Sequence, residues 1–74
     1  MKIYAVLAID IHADYPYHPA IVSYHKSLES ANKVADEITK EYEYAKVNGW
    51  YDKESNIVCN YQSEGTVSEI TVLD

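Results

Sequence analysis

The residues best suited to chemistry lie in the first third of the chain. His12, Asp14 and His18 form an H-x-D-x-x-x-H stretch, with His25 seven residues further on. Two imidazoles and a carboxylate are a ligand set for a divalent transition metal. This spacing matches no tight metal-binding pattern and it straddles Pro16, so a polar loop with exposed histidines competes with the metal and no metal is assigned. The single cysteine, Cys59, has no histidine near it in sequence to act as a base. Alternation places it with Ile57 and Tyr61 on one strand face, as a buried small hydrophobe. Carboxylate pairs such as Asp10 with Asp14, or Glu41 with Glu43, sit at strand ends or on a wet helix face, where solvated charge is the ordinary reading. The only glycines are Gly49 and Gly65, and neither opens a helix as a phosphate loop does. G-x-S-x-G and C-x-x-C are both absent. No catalytic residue is therefore assigned, and no cofactor.

A different set of residues suits recognition. Asp14, Tyr15, Tyr17 and His18 alternate with prolines in one loop, while Glu41, Tyr44, Trp50 and Tyr51 cluster near the end of a helix. Tyrosine and tryptophan bury large area at low entropic cost, which is why they anchor interfaces. Neighbouring acids steer such a surface toward basic partners. In so small a domain Tyr42 and Trp50 serve equally well as core, and that choice stays open at this level.

These residues need elements to hold them. Residues 2–11 read as a strand, apolar at odd positions from Ile3 to Ile11 and also at Tyr4, Val6 and Ala8. A strand apolar on both sides is central and covered on both faces. Residues 12–19 break regular structure at Pro16 and Pro19. Residues 20–26 return as a second strand. Ser27 then serves as N-cap to a helix over about residues 28–47, whose apolar stripe is Leu28, Ala31, Val34, Ala35, Ile38, Tyr42 and Ala45. Glu29 with Lys33 and Asp36 with Lys40 form i,i+4 pairs on its wet side. Asn48-Gly49 stops it. Residues 56–62 and 66–73 read as third and fourth strands around a tight turn at Glu64-Gly65. The expected fold is α+β, a single domain over 1–74: a small antiparallel sheet in ββαββ order with one helix packed across it.

Composition limits the partners. The chain has 74 residues, 47% hydrophobic, and a net charge of −6. Residues 27–74 carry ten acids and four lysines, and there is no arginine at all. Direct nucleic-acid binding is disfavoured, because little counterion release is available to an acidic surface. The same holds for an anionic membrane surface, and no apolar run of about 18 residues offers a membrane span. One cysteine and no secretory leader fit a cytoplasmic protein. A domain this small buries only about 60% of its unfolded surface, so a homo-oligomer, most simply a dimer, is expected.

The opening KIYAVLAIDI, the tyrosine loop, AIVSYHKS running into SLESANKVADEI, and the closing VSEITVLD are similar in layout to a group of short uncharacterised proteins carried mainly by phages and prophages. The shared marks are a hairpin leading through Ser27 into a helix bearing Glu29 and Ala31, and a last strand of alternating acids and aliphatics, Glu69, Ile70, Val72, Leu73 and Asp74. The resemblance implies a neighbourhood in which tiny acidic proteins block host enzymes or defence systems, anti-CRISPR proteins among them. Its implied setting is the host cytoplasm, and it brings no catalytic residues. The reading is a non-enzymatic acidic module that binds a protein with a basic surface, with nucleic-acid mimicry as one form of it. The alternative is a protein that sequesters a nucleotide or metabolite at a subunit interface.

Overall fold

A computed structural model describes residues 1–13 and 18–73. Its elements are β1 (Lys2–Ala8), β2 (Ala20–His25), α1 (Leu28–Asn48) and β3 (Thr66–Thr71). The class is α+β, but the order is ββαβ and the sheet has three strands, β2-β1-β3, with both pairings antiparallel. β1 is central, as its two apolar sides require. It stops at Ala8 because Asp10 begins a turn. Its carboxylate accepts the His12 N–H at 2.7 Å and its carbonyl accepts the Ala13 N–H at 3.0 Å.

The expected third strand over 56–62 does not form. The segment adds no strand to either outer edge of the β2-β1-β3 sheet. The hydrogen-bonding capacity of 56–62 is divided between two local partners. Its first half folds back on Trp50–Asp52, and its second half pairs with Ile9–Ile11 through Ile11 N–H to Asn60 O at 2.8 Å and Gln62 N–H to Ile9 O at 2.7 Å. Ile57, Cys59 and Tyr61 therefore share no face: Ile57 is exposed, Cys59 is buried and Tyr61 is half-buried.

α1 lies across one face of the sheet. The Ser27 hydroxyl accepts the Ser30 N–H at 3.0 Å, the expected N-cap. Ala31, Ala35 and Ile38 pack on Val6 and Ala8, with Tyr4, Val22, Val34, Tyr61 and Val67 around them. A bulge between Val6 and Leu7 leaves Val22 without a partner across the ladder; it packs on that core. Leu28, expected in the apolar stripe, is exposed. Neither expected i,i+4 ion pair closes. The ion pairs among the described residues are Lys2–Glu69 at 2.9 Å and Lys46–Glu43 at 3.5 Å.

Gly65 opens no hairpin. It is where β3 meets α1. A Cβ on it would stand 2.5 Å from the Ala35 carbonyl oxygen. The contact is tied by Thr39, whose hydroxyl donates to Ala35 O at 2.9 Å and accepts the Gly65 N–H at 3.0 Å.

Twenty-one helical residues reach about 31 Å, whereas the six- or seven-residue strands span about 20–23 Å. The last turns of α1 therefore overhang the sheet. Trp50 packs on Tyr42 there, and Ala45 and Cys59 are buried outside the main core.

Candidate functional site

The overhang carries the candidate binding surface. α1 ends at Gly49, whose φ of 101° suits glycine. The Gly49 N–H donates to Ala45 O at 2.8 Å and the Asn48 side-chain amide to Tyr44 O at 3.1 Å, so last-turn carbonyls are paired as the chain reverses. The next residues make a miniature hairpin. Val58 N–H donates to Trp50 O at 2.8 Å and Asp52 N–H to Asn56 O at 2.9 Å. Asp52 organises its tip. Its carboxylate accepts the backbone N–H of Asn56 at 2.8 Å, the Asn56 amide at 3.1 Å and the Glu54 N–H at 3.0 Å. The Asn56 backbone N–H above all holds the Asp52 carboxyl below the ordinary aspartate value; desolvation opposes it, and the Asn56 amide and Glu54 N–H add to the lowering. Ser55 takes a positive φ of 64° to close the turn.

Two layers of side chains result. Tyr42 and Trp50 form the floor, half-buried, with ring centroids 6.0 Å apart and planes tilted by 36°. Lys46 lies 4.7 Å over the Tyr42 ring. These two aromatics pack on each other, outside the main core cluster. On the same helix end and hairpin Tyr44 is 56% exposed, Val47 84% and Tyr51 48%, and Ile57 and Val58 are exposed as well. Glu41, Glu43, Asp52 and Glu54 are exposed on the same helix end and hairpin. Sequence reasoning missed Val47, Ile57 and Val58. The signal available for Val47 was its i,i+3 spacing from Tyr44, off the buried stripe.

Of the expected contact residues, Glu41, Tyr44 and Tyr51 stand exposed at this end and Trp50 supports them. Asp14, Tyr15 and Tyr17 lie outside the described residues. His18 is exposed. The adjoining Pro19 lines a cleft of about 380 Å³ together with Tyr42 and Lys46, so the end of the tyrosine loop and the end of α1 meet at one pole of the molecule. The cleft is completed by Leu7, Ile9 and Ser63, among others.

The histidines do not converge. His25 sits opposite Tyr4 at the far end of β1, a sheet length from His12. Both its ring nitrogens are engaged, Nε2 with Ser23 Oγ at 2.7 Å and Nδ1 with Ser30 Oγ at 2.8 Å, which ties the end of β2 to the first turn of α1. Among the described residues no three His, Cys, Asp or Glu side chains are grouped as metal ligands. Cys59 is buried and its thiol donates to Tyr61 O at 3.2 Å. No helix among the described residues is long and apolar enough to cross a membrane. Comparison of the chain with known proteins gave no matching family model, no similar curated protein and no similar solved structure.

Proposed function

We propose that this protein acts by contact, as an acidic binding module for a protein partner with a basic surface, and performs no bond chemistry of its own. The observation that carries the reading is the pole just described. Tyr44, Val47, Tyr51 and Ile57 are exposed on a rigidly hydrogen-bonded helix end and hairpin that also bear Glu41, Glu43 and Glu54. Exposed aromatics supply affinity there and the acids supply steering and selectivity. The partner class suggested by the phage-type layout is a host or defence protein, with the acids standing in for phosphates in a basic cleft. The test is affinity capture from host lysate on wild type and on a Tyr44→Ser/Tyr51→Ser variant with an unchanged circular dichroism spectrum. A basic partner held by wild type and released by the variant supports the proposal. Equal retention by both sinks it.

The cleft favours a second reading, in which a nucleotide or similar anionic metabolite lies between Tyr42 and Pro19 with Lys46 beside its charge. A rise in melting temperature with one member of a nucleotide panel is the expected sign. A flat panel removes this reading.

A further inference from the structure

α1 covers one face of the sheet and leaves the other open. Strand pairing identifies what lies on the open face. Residues opposite one another across an antiparallel ladder point to the same side, so Ala5 with Tyr24, Leu7 with Ile21 and Ile3 with Ile70 face away from the helix. The ladder continues through Val72 N–H to Met1 O at 2.7 Å, which adds Met1 and Val72 to that face. Its small positions are Ala5, Thr66 and Ser68. Among the described residues of β1, β2 and β3 no charged side chain points to it. Lys2 and Glu69, the charged residues of β1 and β3, point to the helix side, where they pair with each other. Ile21 is 52% exposed and Tyr24 58%.

We propose that this face joins two copies of the chain, sheet against sheet, about a two-fold axis. Three observations select a second copy as the occupant. First, the core of one chain is meagre. Of the eight buried hydrophobic residues among those described five are alanines, leaving Val6, Ile38 and Cys59 as the larger ones. A partner sheet supplies the apolar burial that α1 alone does not. Second, every copy carries −6, so copies can meet only where no like charges are brought together. The open face meets that condition, and a two-fold there leaves both acidic helices outermost. A basic partner drawn by charge has no reason to choose the one uncharged face. Third, the three strands, of six or seven residues, cover roughly 20–24 by 14 Å, on the order of 300 Å² in plan, the size of the largest apolar patch on a monomer, which is often functional. Two such faces together make on the order of 600 Å², below the roughly 1,200 Å² at which stable interfaces begin, so the pair is a weak one that dissociates at micromolar concentration. The inference stands apart from the contact function, since the contact pole and this face involve different residues.

The test is sedimentation equilibrium of the full chain from about 1 to 200 µM, a range that brackets a modest interface. The expected result is a mass rising toward twice 8.4 kDa. A mass of 8.4 kDa throughout overturns the proposal. An Ile21→Lys/Tyr24→Lys variant sets like charges across the axis and should weaken association by about 30-fold or more, while Val47→Lys, on the other layer, should not. A dimer that survives the double variant with native circular dichroism overturns the assignment to this face. If the double variant fails to fold, two measurements replace it. The wild-type urea midpoint must rise with protein concentration, as it does when folding and association are linked, and the milder Tyr24→Gln must weaken association. A concentration-independent midpoint, or a Tyr24→Gln chain that associates like wild type, overturns it as well.

Discussion

Asp52 shows how a single exposed residue can shape a surface. Its three accepted hydrogen bonds fix the hairpin that presents Tyr51 and Ile57. Because the folded carboxyl is held below its ordinary value, chiefly by the Asn56 N–H, the turn gains stability above the unfolded pKa and loses it as pH falls through the folded one. An NMR titration should therefore show the Glu54 and Asn56 amide shifts moving together, with a midpoint below that of an ordinary aspartate. A midpoint at the ordinary value would show that the bonds are not held in solution. Asp52 was legible in sequence only as one more acid beside Trp50 and Tyr51. Its role depends on Asn56, four residues on, folding back to meet it.

Elements were legible in proportion to how local their causes are. The helix, predicted over 28–47 and observed as Leu28–Asn48, is set by an apolar period, a serine cap and a glycine stop within one segment. β1 was placed as the central strand for the same reason, though Asp10 shortens it. The strand expected over 56–62 failed because its hydrogen bonds are divided between Trp50–Asp52 and Ile9–Ile11, so no continuous ladder forms with one neighbour. Gly65 was read as a turn residue, whereas its missing side chain is needed for the backbone of β3 to touch that of α1. Gly65→Ala drives a Cβ into the Ala35 carbonyl, so it should lower stability by about 1–3 kcal/mol in urea unfolding. An unchanged midpoint would mean that the α1–β3 contact is looser than described.

At the scale of the whole molecule the charge has two opposite consequences. A net −6 attracts a basic partner and repels a second copy. Salt screens both, with a Debye length falling from about 10 Å at 0.1 M to about 3 Å at 1 M. Raising salt over that range should weaken capture of the partner and strengthen self-association through the uncharged sheet face. Partner affinity that does not change with salt would remove nucleic-acid mimicry from the reading. Weaker self-association in high salt would count against the sheet face as the contact between copies.

The sequence by itself determined the class, the helix and its caps, the central strand, the acidic balance without arginine and the pool of tyrosines. These follow from composition and from neighbours along the chain, where capping and periodicity act. Only the tertiary structure decided that the end of the tyrosine loop and the helix end share one pole, that His25 bridges two serines far from His12, and that the described strand residues turn an uncharged face away from the helix. Each of those depends on register and on the meeting of segments tens of residues apart, and local preference carries no information about such distances.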